Sequence, residues 1–430
     1  MARSLTTRDC HALMNLLVKE ATGQDAQIQV VDSSTFVSAG EQVLATGTEN
    51  VLNALSLVLG RTFMAVRPYN AKLALINSIN TGEYTHRMRK ISFYSREAQA
   101  SGDWNTQLYT NLADGFTNGQ NIADGDAQST KSMWEQNQPV PLEMNFAGSS
   151  VWQDSTTIYD YQLQQAFRSE AEFAEFVGGI MTEKGNDIES QKEAFNRMAL
   201  LSFMAGAYDM SASAPGSVVN LTEAFNDEFG TNYTSEQLRT TYLKEFCMFM
   251  TARIKIDSDM LTNRSVKAHW SPAKTIGDKS YVLLRHTPKD RQRLMLYNPL
   301  LVKTQAYVFP ELFNEQYLKM ENYEGVMYWQ NENDPSAIKV TPAIPNVSTP
   351  ASGQIAGDTV SLDYVVGVLY DVDAVMVDYQ LERSAVTVPE VRKGFRNMWW
   401  TFAKNAIVDQ TENKILYYMA DPAPTPEPGN

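Results

Sequence analysis

The sequence has 430 residues, 43% of them hydrophobic and 20% charged, which predicts a globular chain with two or three domains. The formal charge of −14 and the pI near 4.9 disfavour a protein that binds nucleic acid tightly and reads its sequence, because such proteins displace phosphate counterions with many Lys and Arg. Two distant cysteines, Cys10 and Cys247, and no apolar run long enough to span a bilayer favour a soluble chain that folds in a reducing cytoplasm.

The first predicted element is a helix from about Thr7 to Ala21, which we interpret as a docking arm. Its leucines lie on one face: Leu13, Leu16 and Leu17. A second apolar stretch, Val51 to Phe63, leads into Pro68, where the fixed φ of proline ends any helix.

From about Gly82 to Ser155 the chain is polar and rich in turn-forming Asp-Gly and Asn-Gly pairs. Large aromatic residues are scattered through it: Trp104, Tyr109, Phe116, Trp134, Phe146 and Trp152. One interpretation is an extended loop that buries these rings on neighbouring copies of the chain. The other, equally compatible with the composition, is a loop-rich subdomain closed within one chain.

The best-defined helix begins at the capping box Ser169-Glu170-Ala171-Glu172, whose side chains satisfy backbone donors at the helix start. Apolar and small residues recur at helical spacing along one stripe: Phe173, Phe176, Val177, Ile180, Ile188, Phe195, Met198 and Ser202. Continued to about Ala207, the helix would be roughly 55 to 60 Å long at about 1.5 Å per residue. The alternative is a bend or break near Gly185-Asn186, because each helical glycine costs about 1 kcal/mol relative to alanine.

The remaining elements predict an α+β fold. They are a helix at Ser235 to Met250, short strands at Tyr281 to Leu284 and Leu294 to Tyr297, a long surface loop at Asn331 to Asp358, a β-like stretch at Tyr364 to Val377, and a Pro-rich mobile tail at Asp421 to Asn430.

No established catalytic motif occurs, and the histidines have no metal-ligand spacing: His11, His86, His269 and His286. Two acid pairs, Asp257/Asp259 and Asp371/Asp373, resemble solvated strand-end carboxylates more than an acid–base pair. Basic clusters at His86 to Lys90 and Arg285 to Arg293 are interpreted as solvated or subunit-facing patches. The sequence therefore predicts no catalytic, cofactor-binding or metal-binding residue, and no enzyme.

Near the carboxyl end four motifs follow one another: Val365-Val366-Gly367-Val368-Leu369-Tyr370-Asp371-Val372-Asp373-Ala374, Val388-Pro389-Glu390-Val391-Arg392, Asn397-Met398-Trp399-Trp400 and Asp409-Gln410-Thr411-Glu412-Asn413. Together they resemble the closing segment of the major capsid proteins of tailed bacteriophages, which have the Hong Kong 97-type capsid fold. In that family a hydrophobic strand with an aspartate precedes a proline-containing turn, an aromatic-rich stretch and a last strand. Here that last strand would run from Lys414 to Met419.

The resemblance rests on the order of these motifs and extends over nearly the whole chain. It implies an amino-terminal arm (1–66), an extended loop with its flanks (67–160), a spine helix with the peripheral domain (161–235), an axial domain (236–385) with its surface loop (331–358), a return to the peripheral domain (386–420) and a mobile tail (421–430).

The implied function is a shell subunit that forms pentamers and hexamers of an icosahedral capsid around packaged double-stranded DNA. Its partners would be copies of itself, scaffold, portal and decoration proteins, and non-specific DNA, with no membrane and no cofactor. The particle would assemble in the bacterial host cytoplasm. Some relatives cross-link their loops through lysine and asparagine, but nothing assigns Lys90 or Lys131 to that reaction.

Two alternatives stay open at this point. An encapsulin-like nanocompartment would share the fold and enclose protein cargo. A carboxylate-based hydrolase would need a small oligomer with a concave acidic cleft.

Overall fold

Two β-sheets joined by one long helix form the body of the chain in the computed structural model. The structure describes residues 7–22, 33–45, 73–79, 87–95, 139–147, 150–159, 170–272, 274–276, 279–308, 323–388, 390 and 392–421. Within these ranges the fold is α+β, as the sequence predicts.

The helices of the described residues are α1 (Thr7–Thr22), α2 (Ser33–Ala45), α3 (Glu170–Asp209), α4 (Leu221–Phe229), α5 (Ser235–Thr240), α6 (Leu243–Met260) and α7 (Asn298–Val308). None of these described helices is both long enough and apolar enough to cross a membrane.

The strands of the described residues are β1 (Asn77–Ile79), β2 (Arg87–Phe93), β3 (Pro141–Ala147), β4 (Ser150–Tyr159), β5 (Val218–Asn220), β6 (Lys274–Ile276), β7 (Lys279–Tyr281), β8 (Gln292–Tyr297), β9 (Tyr323–Val326), β10 (Ile338–Val340), β11 (Ala343–Pro345), β12 (Gln354–Ala356), β13 (Val360–Leu362), β14 (Val365–Asp371), β15 (Val375–Val386), β16 (Phe395–Val408) and β17 (Lys414–Tyr418).

The four-stranded sheet has the order β1-β15-β16-β4 and combines distant parts of the chain. β16 is antiparallel to β15, with a register shift between Leu381 and Arg383. β16 is also antiparallel to β4, from the pair Phe395 and Tyr159 to the pair Lys404 and Ser150. The sheet therefore depends on contacts between residues more than two hundred positions apart.

The five-stranded sheet has the order β5-β17-β14-β8-β9. Its central strand β14 is buried at every position, because β17 and β8 flank it and Phe203 of α3 packs on its Tyr370. Gly367 lies where β14 approaches β8 so closely that an added Cβ would stand 2.4 Å from the carbonyl oxygen of Met295. This sheet and the end of α3 contribute about half of the main hydrophobic core.

Helix α3 is 40 residues long and packs against both sheets. The ring of Phe195 meets the ring of Tyr379 on β15 at 5.7 Å, and the ring of Phe203 meets that of Tyr370 on β14 at 5.8 Å. Its last turns, from residue 199 to 207, are buried on nearly all sides, as expected for a helix enclosed by other elements. The helix thus connects the two sheets.

Three local predictions are confirmed by the element bounds. The first helix is α1, the long helix begins at Glu170 directly after Ser169, and the last strand is β17. The long helix is not interrupted at Gly185-Asn186, so the predicted alternative of a break there is wrong. The predicted stripe on α3 needs one correction, because Met198 is 55% exposed and the neighbouring Ala199 and Leu200 are buried instead.

The segment predicted as an extended loop contains the antiparallel hairpin β2-β3 followed by β4. One face of the hairpin is buried within the chain: Leu142, Met144 and Phe146 pack with Leu283 and Ile407. On β2, in contrast, Ile91 and Phe93 are 50% and 61% exposed. The residues between 96 and 138, including Trp104, Tyr109, Phe116 and Trp134, lie outside the described residues, as do the stretch Val51 to Phe63 and the tail after Asp421.

Other elements differ from the sequence-based expectation. The helix predicted from Ser235 to Met250 is two helices, α5 and α6, and the strand predicted at Tyr281 to Leu284 ends at Tyr281. The segment Asn331 to Asp358 contains β10, β11 and β12, which hold it against the body: the Ser202 hydroxyl accepts a hydrogen bond from the amide of Ala343 at 2.9 Å. The chain passes from one sheet to the other in the short turn between β14 and β15, so β15 lies in the four-stranded sheet.

Candidate functional site

The turn between β16 and β17 is highly polar and nevertheless buried. Asp409, Gln410 and Thr411 have no exposed surface, and Glu412 and Asn413 are also buried. This is the last of the four motifs that carried the family resemblance. Because ionised side chains are buried only when they are paired, the turn must have partners from elsewhere in the chain.

A lysine from the hairpin supplies the first partner. Lys90 Nζ on β2 lies 2.5 Å from Asp409 Oδ2 and 2.6 Å from Glu412 Oε1. Arg285 adds a second cation, with Nη2 at 3.2 Å from Glu412 Oε1 and 2.7 Å from the Ser92 hydroxyl. We call these four charged residues, Lys90, Arg285, Asp409 and Glu412, the ionic junction. It joins the middle of β2 to the turn between the two sheets.

The charged residues of the ionic junction shift one another's pKa values. Burial raises the pKa of Glu412, and the nearby Asp409 charge adds to the rise although Lys90 and Arg285 oppose it. Burial acts on Asp409 in the same direction, but Lys90 and the Thr411 donors outweigh it and lower the pKa of Asp409. The two carboxylates in turn raise the pKa of Lys90 against the effect of burial. At neutral pH the contact between Lys90 and Asp409 is therefore an ion pair.

Two further ionisable groups adjoin the ionic junction. Lys414 is buried and donates from Nζ to the carbonyl oxygen of Gln410 at 2.7 Å, and burial lowers its pKa to about 7. The ring of His269 contacts Asn413 Oδ1 at 3.0 Å and the carbonyl oxygen of Leu283 at 2.7 Å, and burial lowers its pKa to about 4. His269 is thus a neutral, structural histidine near neutral pH.

The first of the two acid pairs singled out in the sequence, Asp257/Asp259, is not brought together in the structure. Asp257 is buried and accepts hydrogen bonds from Tyr417 and Arg253, both at 3.1 Å. Asp259 is exposed and pairs with Lys289 at 2.5 Å. Among the described residues, no cluster of His, Cys, Asp and Glu has the composition of a metal site.

The second acid pair shares one cation. Asp371 is buried and accepts from the Thr287 hydroxyl at 2.9 Å, and Arg291 contacts both Asp371 and Asp373. These carboxylates stabilise the connection between β14 and β15, since each has a donor within the chain.

The basic cluster Arg285 to Arg293 pairs with carboxylates of its own chain: Arg285 reaches the buried Glu412, Lys289 reaches Asp259, and Arg291 reaches Asp371 and Asp373. The side chains of Lys289 and Arg291 stay partly exposed, so the interpretation of a solvated or subunit-facing patch remains a prediction for this part of the cluster. Of the other histidines, His286 is exposed, whereas His86 and the side chain of His11 lie outside the described part.

Sequence reasoning missed the ionic junction, although it singled out the turn and the basic clusters separately. The signal available was a dense polar run placed directly before a strongly apolar strand. Its partner Lys90 lies 319 positions away from Asp409, so no local pattern connects them.

Several solved structures similar to this chain come from bacteriophages. The capsid structure of Staphylococcus phage Andhra matches at 11% identity and a TM-score of 0.46, over 83% of this chain and 86% of that chain. The structure of head fiber and inner core protein gp22 of native bacteriophage P68 matches at 12% identity and a TM-score of 0.46, over 81% and 86% of the two chains. The capsid structure of the Cyanophage P-SCSP1u matches at 9% identity and a TM-score of 0.40, over 81% and 87%. No protein-family model and no curated protein matches the chain.

Proposed function

We propose that this chain is the major capsid protein of a tailed bacteriophage, a shell subunit that assembles with copies of itself. The observation that carries the proposal is the order of its elements: the hairpin β2-β3, then a 40-residue helix in contact with two sheets, and finally β16 in the four-stranded sheet and β17 in the five-stranded sheet. This order agrees with the one implied by the four carboxyl-terminal motifs.

Exposed apolar side chains support a protein that makes contacts with its own copies. Several large ones lie on the hairpin, on β4 and on the helices of the five-stranded domain: Ile91, Phe93, Val151, Phe229, Met248, Ile256 and Met260. Single exposed apolar residues are ordinary on a monomer, but two on β2 and three on α6 favour contact surfaces. Ring-forming contacts are heterologous, so different surfaces of one chain are expected to meet on neighbouring copies.

The proposed particle is an icosahedral shell of pentamers and hexamers that encloses double-stranded DNA and forms in the bacterial host cytoplasm. The net charge of −14 suits a subunit that contacts DNA weakly and without sequence preference. Scaffold, portal and decoration proteins are the proposed additional partners. Within the subunit, we assign residues 1–66 to an arm, 67–160 to the extended loop, 161–235 and 386–420 to the peripheral domain, 236–385 to the axial domain and 421–430 to a tail.

Assembly of the purified chain tests this proposal. The full-length protein is concentrated, with and without a crowding agent and a co-expressed scaffold, and followed by light scattering and electron microscopy. We expect closed shells built from pentamers and hexamers. Discrete small species under every condition would contradict a shell protein and would favour the hydrolase alternative.

The contents of the particle distinguish a capsid from a nanocompartment with the same fold. Particles purified from infected cells are analysed for nucleic acid and for co-purifying protein. Double-stranded DNA inside the shell is expected. A single enclosed enzyme and no DNA would instead identify a nanocompartment.

A further inference from the structure

The strands β11 and β12 belong to a small ribbon, residues 341–358, that folds back on itself; we call it the β11-β12 ribbon. Its tip is closed by a backbone hydrogen bond from the amide of Asn346 to Gly353 at 3.2 Å. Its base is closed by another from the amide of Gly357 to Pro342 at 2.9 Å. Gly353 has a φ of 106°, a left-handed value that favours glycine. The ribbon is therefore one unit, which can move without losing its own backbone hydrogen bonds.

One side of the β11-β12 ribbon lies against the turn that carries the ionic junction. Gln354 Nε2 donates to the carbonyl oxygen of Val408 at 2.9 Å, directly before the first residue of the ionic junction in that turn. Ribbon and turn also meet at Gly206 of α3, where an added Cβ would stand 2.6 Å from Gln410 Nε2 and 3.5 Å from Ile344 Cγ2. The ribbon thus lies beside the buried turn and the end of α3.

The tip of the β11-β12 ribbon contacts the hairpin β2-β3. Asn145 Nδ2 on β3 donates to the carbonyl oxygen of Ala351 at 2.8 Å. On the other strand of the hairpin, Lys90 is bound by Asp409 and Glu412. The hairpin is therefore held at both strands, β3 by the ribbon and β2 by the ionic junction.

Little apolar surface holds the β11-β12 ribbon in place. Of its side chains, all of which the structure describes, only two apolar ones are buried, Pro342 and Pro345. Val347 and Ile355 are 60% and 46% exposed. Segments with few buried apolar contacts open at a lower free energy than the core, and a two-stranded ribbon is only marginally stable by itself. We therefore expect the ribbon to open before the sheets on which it lies.

We infer that the β11-β12 ribbon is a clasp on the hairpin: closed, it fixes β2-β3 and shields the ionic junction from water, and its opening releases both. The clasp goes beyond the proposed shell function, because it is a property of the single chain and is tested before any assembly. Charges attract strongly only where water is excluded, so opening of the ribbon weakens the contact between Lys90 and Asp409. The ribbon and the hairpin are thereby coupled, and such coupling acts in both directions.

Hydrogen exchange of the full-length, unassembled protein tests the clasp with a substitution on the turn side of the ribbon. Gln354→Met removes the hydrogen bond to Val408, and the matched control Gln330→Met removes hydrogen bonds to Lys339 in β10, outside the ribbon. In Q354M we expect the β2 and β3 amides to exchange about fivefold faster than in the wild type, the effect of about one lost hydrogen bond. In Q330M we expect unchanged hairpin exchange, with both variants folded by circular dichroism. Hairpin amides that exchange in Q354M as in the wild type would overturn the inference.

Two further variants test the coupling in the other direction and the shielding. Asn145→Leu removes the hydrogen bond of the hairpin to the ribbon tip and should speed exchange of the closing amides of the ribbon, those of Asn346 and Gly357. Lys90→Met should reduce the effect of Gln354→Met on hairpin exchange to less than about twofold, because the shielded ionic contact is then missing. Ribbon amides unchanged in N145L would show that ribbon and hairpin open independently, and equal effects of Q354M with and without Lys90 would show that the ribbon shields nothing. Either result would overturn the clasp.

Discussion

Burial strongly changes the pKa of the Lys414 amine. Its side chain has almost no exposed surface, and its ammonium donates to one backbone oxygen, that of Gln410. The carboxylates of Asp409 and Glu412 raise its pKa, but burial outweighs them and lowers the pKa to about 7. The folded chain therefore holds this proton far less tightly than the unfolded chain does.

The Lys414 shift predicts a rise in stability with pH. Because the folded pKa near 7 lies below the ordinary value of 10.5, the penalty is complete below pH 7 and disappears as the pH rises toward 10.5. Lys414→Met should remove this pH dependence and raise the free energy of unfolding at pH 7 by about 2 to 4 kcal/mol. Gln410 keeps a donor in the variant, since the Trp270 amide also bonds its carbonyl oxygen at 3.0 Å.

Urea unfolding at pH 7 and pH 9 measures the effect. Lys339→Met, at an exposed lysine, is the control and should leave the pH dependence unchanged. A Lys414→Met variant whose stability still rises with pH as in the wild type would show that another group is responsible.

The residue scale is also where prediction from sequence failed most clearly. Charged residues are usually solvated, so the run from Asp409 to Lys414 gave no indication of its burial. The cations that neutralise it come from β2 and from Arg285, which are remote in sequence. Only the folded chain brings these charges together.

At the scale of elements, the ionic junction predicts how firmly the hairpin is held. Lys90→Met leaves Asp409 buried without its cation, and we expect a loss of about 2 to 4 kcal/mol in the docking of β2-β3. Arg89→Met, at the adjacent residue on the same strand, removes an exposed ion pair with Glu143 and should cost about 0 to 1 kcal/mol.

Hydrogen exchange across the hairpin distinguishes the two variants. Amides of β2 and β3 should exchange much faster in Lys90→Met than in the wild type, with little change in Arg89→Met. Equal exchange in both variants would mean that apolar packing of Met144 and Phe146, and not the ion pairs, holds the hairpin.

Replacement of glycine by alanine at two positions is expected to change the stability of the chain in opposite directions. Gly367→Ala on β14 would push a methyl group into the carbonyl of Met295 and should destabilise the chain by about 1 to 3 kcal/mol. Gly179→Ala on α3 meets no other atom within 4 Å and should stabilise the helix by up to about 1 kcal/mol. Thermal unfolding of both variants checks the signs. Destabilisation by Gly179→Ala would indicate a contact at this position that one chain alone does not make.

Elements that a short sequence pattern determines were predictable from the sequence. Strands that depend on partners far away in the sequence were not. The apolar period and the capping box specified α1 and the start of α3, and a dense apolar run specified β17. The pairing of β4 with β16 has no local signal, because each strand only acquires its partner when residues 150–159 meet residues 395–404. The same applies to the strands β10 to β12, which are short and rich in turn-forming residues.

At the scale of the whole molecule, the charge of −14 per chain predicts a salt-dependent assembly rate. Copies of an acidic subunit repel one another, and the Debye length falls from about 30 Å at 0.01 M salt to about 8 Å at 0.15 M. We expect light scattering to report faster assembly at the higher ionic strength, and a neutral osmolyte at matched osmolarity to have no such effect. Slower assembly with added salt would mean that attraction between opposite charges dominates the contacts.

The pairing of β4 with β16 also has a consequence for biosynthesis. During translation β4 leaves the ribosome long before its partner strand, and the four-stranded sheet cannot be completed until residue 408 has emerged. A nascent polypeptide therefore cannot close the four-stranded sheet until β16 has left the ribosome. Until then β4 lacks β16, so nascent chains on one polysome can associate through it before each has folded.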